Sequence, residues 1–354
     1  MNINELLEIA VKSDASDLHL KVGSPPLLRV YGDLVALETL PKLTEADTKK
    51  LAYDMLTPTQ QRRFEAALGL DLSYEIPGLA RFRTHIFQQR EMIGIVCRII
   101  PLKTSTMDEL GLPEICKDLC RRPRGLLLIT GSAGAGKTTT QAALIDYINE
   151  TFPVHIMTIE DPIEFTHECK KAVVNQRQLE SDTLSFSEAL KHVFRQDPDV
   201  ILIGEMRDLE TIQLAVTAAE TGHLVLGTLH TTDTVSTIDR IVDVFPPHQQ
   251  PQVRSQLTVN LVGVISQLLI RKVVEKGRVA AFEVLVAVPA VRSLIREAKT
   301  YQIPSVLQTG KKQGMRSMDQ SLAELVAKKI VSYEEALAKS INPREFADLV
   351  GKAR

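Results

Sequence analysis

Residues 131–138 read Gly-Ser-Ala-Gly-Ala-Gly-Lys-Thr, the spacing GxxxxGK[ST] in which a glycine-rich turn lets backbone N–H groups surround phosphate oxygens. Gly131, Gly134 and Gly136 permit that close approach, with Ser132, Ala133 and Ala135 between them. Lys137 is placed to reach the β- and γ-phosphates as a point charge. The Thr138 hydroxyl is placed to ligate Mg²⁺ bridging the same oxygens, and Thr139 completes the binding stretch. The apolar run 126–130 reads as a buried parallel strand and residues 137–147 as the next helix, so the turn opens at a helix N-terminus, where unpaired N–H groups favour an anion. These residues predict a nucleoside triphosphate site.

Phosphoryl transfer to water also needs a residue to orient the water and positive charge for the transition state. Residues 199–205, Asp-Val-Ile-Leu-Ile-Gly-Glu, form an apolar strand ending in an acid, and Glu205 suits either the magnesium shell, partly through water, or the attacking water. A second acidic group, Glu-Asp-Pro-Ile-Glu at 160–164, follows the strand 154–159. Carboxyl ends of neighbouring parallel strands open onto one crevice, so Glu160 and Glu205 are expected to converge on the γ-phosphate. His223 stands just before the strand 224–229 and His230 at its end, where an imidazole can sense that phosphate.

The elements that position these groups fall into two patterns. Residues 1–102 read as an α+β domain, with strands at 16–22, 27–31, 70–76, 81–88 and 93–100 and helices at 44–55 and 58–67, Thr44 serving as an N-cap. Residues 103–124, rich in turn formers and basic residues, read as a linker with room for one short helix. From 125 to 288 strands alternate with helices, which predicts an α/β domain with a largely parallel sheet. Residues 289–354 read as a helical tail divided by Pro304, Gly310 and Gly314.

Composition narrows the function classes. Lys and Arg number 42 against 44 Asp and Glu, a formal charge of -2, and aromatics make up 5%. A nucleic-acid motor would need a basic or aromatic track, which this composition disfavours. A regulatory subunit that hydrolyses little is disfavoured by the presence of Lys137, Glu160 and Glu205. Glu5 and Glu8 interrupt the apolar residues of the first segment, so no signal-peptide core is expected, and no apolar run reaches spanning length. Cys97, Cys116, Cys120 and Cys169 include one C-x₃-C pair without a second pair at zinc-ribbon spacing, which favours reduced, structural thiols.

Four blocks together resemble the type II/type IV secretion and pilus ATPase family: the phosphate loop; 159–165, similar to the family's Asp box; 197–207, similar to its Walker B segment; and 221–230, similar to its His box. The similarity runs on through 237–246. It implies an ATP hydrolase forming a homo-hexameric ring, each subunit a PAS-like N-terminal α+β domain followed by a RecA-like P-loop domain with a helical C-terminal tail. Glu160 would be the general base, Glu205 the Walker B acid, and His223 and His230 the His-box pair. Family arginines of the N-terminal domain reach the nucleotide; Arg83 and Arg98 are the better matches and Arg81 the lesser.

Ser132, Ala133 and Ala135 depart from the Pro, Thr and Ser common in the family's loop, leaving the critical Gly, Lys and Thr in place. Extension ATPases of the family usually carry a longer N-terminus and a tetracysteine element, and this sequence has neither. Residues 290–297, Ala-Val-Arg-Ser-Leu-Ile-Arg-Glu, are similar to the family's AIRNLIRE retraction signature. That helix is expected to pack Val291, Leu294 and Ile295 and to expose Arg292 and Arg296 for coupling. The resemblance thus implies a motor for type IV pilus retraction, cytoplasmic and peripheral at the inner-membrane base of the pilus, with a platform protein as partner and no membrane span of its own.

Overall fold

The computed structural model describes residues 2–100, 104–274 and 277–353. The chain divides into two compact units, Met1–Lys103 with Pro162–Thr166, and Thr104–Asp161 with His167–Arg354. The boundary expected between residues 102 and 103 lies outside the described residues.

In the first unit α1 (Ile3–Lys12) precedes β1 (Asp17–Leu20), β2 (Leu27–Val30) and β3 (Asp33–Ala36), then α2 (Glu45–Met55), α3 (Pro58–Ala67), β4 (Gly69–Ile76), β5 (Ala80–Gln89) and β6 (Met92–Ile100). Each helix begins where a side chain satisfies its orphan N–H groups. Asn2 with Glu5, Thr44 with Asp47 and Thr57 with Gln60 form reciprocal capping boxes, and Pro58 supplies the preset φ of a first helical residue. The strands pair antiparallel in the order β3-β2-β1-β6-β5-β4. β5 shows why one face is wet: Phe82, Thr84 and Ile86 are buried, while Arg81, Arg83 and His85 alternate outward. Leu6, Leu7, Leu51 and Ala52 of α1 and α2 close the dry face in a core of their own.

The second unit begins with α4 (Ile115–Cys120) and β7 (Gly125–Thr130), followed by α5 (Lys137–Thr151), β8 (His155–Glu160), β9 (Val173–Gln178) and α6 (Phe186–Val193). Next come β10 (Val200–Ile203), α7 (Leu209–Glu220), β11 (Leu224–Leu229), α8 (Thr234–Asp243), α9 (Gln250–Asn260), β12 (Leu261–Arg271) and β13 (Arg278–Val286). The sheet order is β13-β12-β7-β11-β10-β8-β9, parallel except for β13 against β12. Helices cover both faces, so β7 is buried throughout; Leu126 and Leu128 enter one core and Leu127 and Ile129 the other.

Residues 104–124, expected as a linker, contribute Met107, Leu112, Cys116, Leu119 and Cys120 to the second of those cores. Burial pushes the Cys97 and Cys116 thiols up to about 12, so both stay uncharged. The strands β3, β9 and β12 lie outside the expected set for different reasons. β3 and β9 are edge strands with exposed positions and a weak apolar signal. β12 follows α9 without a break, so the apolar run 257–270 spans a helix end and a strand that periodicity alone does not separate.

The tail comprises α10 (Pro289–Arg296), α11 (Ile303–Thr309), α12 (Met318–Ala327), α13 (Tyr333–Leu337) and α14 (Pro343–Ala353). Met318, Leu322, Ala336 and Phe346 pack with Ile270 and Ala281 of the β12–β13 hairpin. In α10, Val291 and Ile295 are buried as the amphipathic pattern requires, and Arg296 is exposed. Arg292 corrects the expectation of a free surface charge. It is half-buried, and its Nε donates to the Ala287 carbonyl at 2.7 Å, because the guanidinium closes the turn that leads into the helix.

Separate cores predict separate failures. Phe82 is fully buried in the first unit, and Phe82→Ala should cost about 3–5 kcal/mol there. Amide exchange on the full chain should then accelerate in β5 while β7 keeps its protection; equal loss in both strands would show that the cores are one cooperative body.

Candidate nucleotide site

The phosphate loop leaves the carboxyl end of β7 through Gly131, whose φ of 150° is accompanied by a close approach: a Cβ there would lie 2.4 Å from the Gln267 carbonyl oxygen. The Gln267 side chain reaches round the same turn, Nε2 donating to the Ala135 carbonyl at 2.7 Å. Gly136, at φ 87°, ends the loop as the N-cap of α5 and makes no side-chain cap. The first turn of α5 therefore presents backbone N–H groups to an incoming anion. Ser132, Ala133 and Gly134 are exposed, Ala135 is buried, and Lys137, Thr138 and Thr139 are half-buried at the helix start.

Lys137 Nζ folds onto the loop, donating to the carbonyls of Gly131 at 2.8 Å and Ser132 at 3.1 Å. It also lies 3.3 Å from His230 Nδ1. His230 is brought there because β11 runs parallel to β7 with Leu229 opposite Thr130, so the next residue of each strand emerges at the same edge. The other ring nitrogen, Nε2, is 2.8 Å from Glu205 Oε1, and Glu205 Oε2 accepts from Arg207 at 2.6 Å. Lysine, imidazole, carboxylate and guanidinium thus form one continuous chain from the phosphate loop to the end of β10.

Glu205 is held by its backbone neighbours. Gly204 N–H donates to Ile159 O at 2.8 Å, Met206 N–H donates to Thr228 O at 3.0 Å, and the Thr228 hydroxyl donates to Gly204 O. Both flanking strands therefore fix this turn. Burial pushes the Glu205 carboxyl up, but the Arg207 hydrogen bond and the nearby His230 outweigh it, leaving the group below the usual carboxylate range. The second expected acid, Glu160, ends the neighbouring strand β8 and is only 7% exposed. Its Oε1 accepts from the Thr158 hydroxyl at 2.7 Å and from Gln176 Nε2 at 3.0 Å, which sets its orientation.

Not every expected residue joins this chain. His223 stands at the opposite end of β11, where its Nδ1 lies 2.9 Å from the Ala218 carbonyl and its ring packs edge-on to Phe194. Six strand residues separate it from His230, a distance of about 23 Å. Arg83 and Arg98 belong to the first unit, on adjacent strands and directly opposite each other in register. Like charges so placed repel, and each has an acid close by: Glu164 lies 3.5 Å from Arg83, and Asp17 accepts from Arg98 Nε at 2.9 Å. Arg81, the lesser match, donates to Ser73 and, at 2.7 Å, to Thr166.

The donor set suits a hard divalent cation that is completed by nucleotide. Thr138 and Glu205 offer one hydroxyl and one carboxylate, and Mg²⁺ is commonly held by one or two protein oxygens plus phosphates and water. Among the described residues no group of three or more His, Cys, Asp or Glu is arranged to hold a metal unaided. Sequence reasoning passed over three supporting residues: Gln267, Gln176 and Thr158. Gln267 left a trace, a polar residue inside the most apolar run, whereas Gln176 sits on the unread edge strand β9.

Comparisons with known proteins bear on the same residues. The family model described as type II/IV secretion system protein matches residues 1–338. The type IV pilus retractation ATPase PilT of Pseudomonas aeruginosa is 53% identical over 98% of this chain and 100% of its own length. A twitching motility protein of Neisseria gonorrhoeae is 49% identical over 91% of this chain and 86% of its own. Among solved structures, that of the pilus retraction motor PilT with bound ADP superposes with a TM-score of 0.90 at 45% identity, covering 98% of both chains. With this family match and identity over nearly its whole length, the chain belongs to the type II/IV secretion ATPase family.

Proposed function

We propose that this chain is the ATP-hydrolysing motor of type IV pilus retraction, coupling turnover to removal of pilin at the pilus base and so to twitching motility. The observation that carries the reading is the unbroken contact chain from Lys137 through His230 to Glu205, in a sequence 53% identical to a retraction ATPase. Lys137 would exchange the Gly131 and Ser132 carbonyls for phosphate oxygens, and His230, already against Nζ, would report that exchange to Glu205. Thr138 and Glu205 would hold Mg²⁺, which would supply charge neutralisation to the phosphates. Glu160, fixed by Thr158 and Gln176, is assigned as the base that orients water. Arg83 and Arg98 are assigned to transition-state charge on the strength of the family resemblance. Remote from Lys137 within the chain, His223 keeps only the role the family resemblance implies.

The finer architecture follows the same reading. In that reading residues 1–102 are a PAS-like domain, 125–288 a RecA-like core against which 104–124 pack, and 289–354 the helical tail. A homo-hexamer at the cytoplasmic face of the inner membrane, engaging a platform protein, is the assembly this implies. No helix among the described residues is long and apolar enough to cross a membrane, so the proposal places the chain there through its partner.

Magnesium-dependent ATP turnover, with and without DNA, together with pilus number and surface motility after loss of the protein, tests the whole reading. Retraction predicts more pili and no twitching; strongly reduced pili would make the protein an extension motor, and DNA-stimulated turnover a nucleic-acid motor. Within the site, Lys137→Ala should lower turnover by about 100-fold or more, while Glu205→Gln should still bind ATP and stall. Parental turnover in Lys137→Ala would overturn the loop assignment. Glu160→Gln with intact turnover would remove Glu160 from the role of base.

Two further outcomes are specific to charge. A soluble, assembled Arg83→Ala, Arg98→Ala double variant should lose at least 10-fold in turnover, on the scale of a lost transition-state contact; full activity would remove both from the site. Arg207→Ala leaves the burial of Glu205 less opposed, so its pKa rises and the acid limb of the pH–rate profile moves to higher pH. An unchanged acid limb would show that Glu205 does not govern it.

A further inference from the structure

A row of buried polar side chains crosses the sheet one residue before the phosphate loop. Thr130 of β7 is opposite Ser266 of β12, and Ser266 is opposite Glu283 of β13, so the three occupy neighbouring positions on one face. All are buried, Glu283 at 4% exposure. The Thr130 and Ser266 hydroxyls are 2.6 Å apart. Thr237 of α8 donates to Thr130 at 3.4 Å and lies 2.7 Å from Thr231, the residue after His230. Polar groups in such a core are costly unless partnered, which makes the partners of the Glu283 carboxylate informative.

Its two oxygens serve two different helices. Oε1 accepts from the backbone N–H of Thr234, the first residue of α8, at 2.9 Å. Oε2 accepts from the N–H of Met318, the first residue of α12, at 3.2 Å. Each donor is one that its own helix leaves unpaired. The α8 N-terminus ends the short turn that carries His230, and α12 opens the part of the tail packed on the hairpin. β13 anchors α12 further, through paired hydrogen bonds between Val284 and Arg316 and from Phe282 N–H to the Ser321 hydroxyl at 2.9 Å. Glu283 alone among these anchors also holds α8.

We propose that Glu283 is a positioning residue that ties the His230 turn and helix α12 to the same point of the sheet, so that a change of nucleotide state at the phosphate loop reaches the C-terminal helices through one carboxylate. The inference rests on the ATPase reading for its kinetic consequence and on the two hydrogen bonds alone for its structural one. Burial raises the carboxyl's pKa, opposed by the Thr234 and Met318 N–H groups, so the clamp depends on both helix termini being present together. Glu283→Gln keeps the volume of the side chain but leaves only one acceptor oxygen for two N–H groups. It should therefore release one helix without opening a cavity.

The test uses the full chain. Without nucleotide, the Thr234 and Met318 amides should exchange slowly in the parent, and at least one should exchange 10-fold faster in Glu283→Gln. With MgADP or a non-hydrolysable ATP analogue, the parent should gain protection at residues 318–321 and the variant should not. Nucleotide Kd should stay within 2-fold, kcat should fall at least 5-fold at unchanged KM, and Glu283→Asp, which keeps both acceptors, should recover part of it. Ser321→Ala, which loosens α12 without touching α8, should leave kcat unchanged. Parental exchange at both amides in Glu283→Gln would overturn the clamp whatever the ATPase result. Parental kcat and nucleotide-dependent protection in that variant, or an equal loss of kcat in Ser321→Ala, would reduce Glu283 to packing. A parent chain that fails to hydrolyse ATP would instead sink the motor reading and leave the exchange result standing. If Glu283→Gln fails to fold, exchange in the parent chain carries the test: Thr234 and Met318 amides that exchange fast without nucleotide overturn the clamp.

Discussion

A methyl group on Gly131 would collide with the Gln267 carbonyl, and this contact between the phosphate loop and strand β12 constrains the rest of the site. It forces the chain to leave β7 in a conformation that side chains rarely adopt. It also fixes how far the loop stands from the sheet, because the Gln267 side chain holds the Ala135 carbonyl from the same neighbouring strand. With both ends of the loop tied to β12, α5 begins at a set height and its first N–H groups point at one place. The parallel register of β11 and β10 then decides which residues meet there, His230 one position beyond Leu229 and Glu205 two beyond Ile203. Neither residue needs a special local conformation to arrive.

Much of this was legible because the signals were local. Glycines at fixed spacing, a lysine and threonine at the start of a helix, and apolar runs ending in Glu160, Glu205 and His230 are properties of a few consecutive residues. The α/β pattern of the second unit and the capped helices of the first could be read in the same way, as could the alternation that sends Arg81 and Arg83 outward on β5. The unread parts depend on contacts between distant segments. β9 is recognisable only through its pairing with β8, and the packing of residues 104–124 only through the core they share with α5. His223 and His230 look equivalent in a short motif, yet a strand lies between them. Arg292 looks free at its helical spacing until the carbonyl of Ala287 is seen beside it.

Electrostatics explain why the site is stable before substrate arrives. Lys137 would be an uncompensated cation at the mouth of a helix N-terminus, where the macrodipole already favours negative charge. The structure offsets it with two loop carbonyls and with the imidazole beside Glu205. Triphosphate is a better partner than a carbonyl for the same ammonium, so in the proposed motor binding would exchange weak contacts for charge-assisted ones. What would change is the hydrogen bonding of His230, whose second nitrogen is already against Glu205. In the proposed motor, nucleotide state would be converted into the position of that one ring.

That conversion matters mechanically only if the ring's position is connected to something large. The sheet itself is a poor transmitter of motion, since seven strands packed on both faces resist shear as a close-packed body does. Its edge is different. Among the described strands of this sheet β13 alone runs antiparallel to its neighbour, and the tail is held to it through backbone pairing at Val284 and a hydroxyl at Phe282. The buried row from Thr130 through Ser266 to Glu283 runs from the start of the phosphate loop to that edge. A polar group kept inside an apolar core is costly unless its partners remain, so if either helix terminus that satisfies Glu283 parted, one carboxyl oxygen would be left without its donor. In the proposed clamp, chemistry at one end of β7 and packing at the edge of the sheet would be bound by the cost of leaving one buried carboxyl group without a donor.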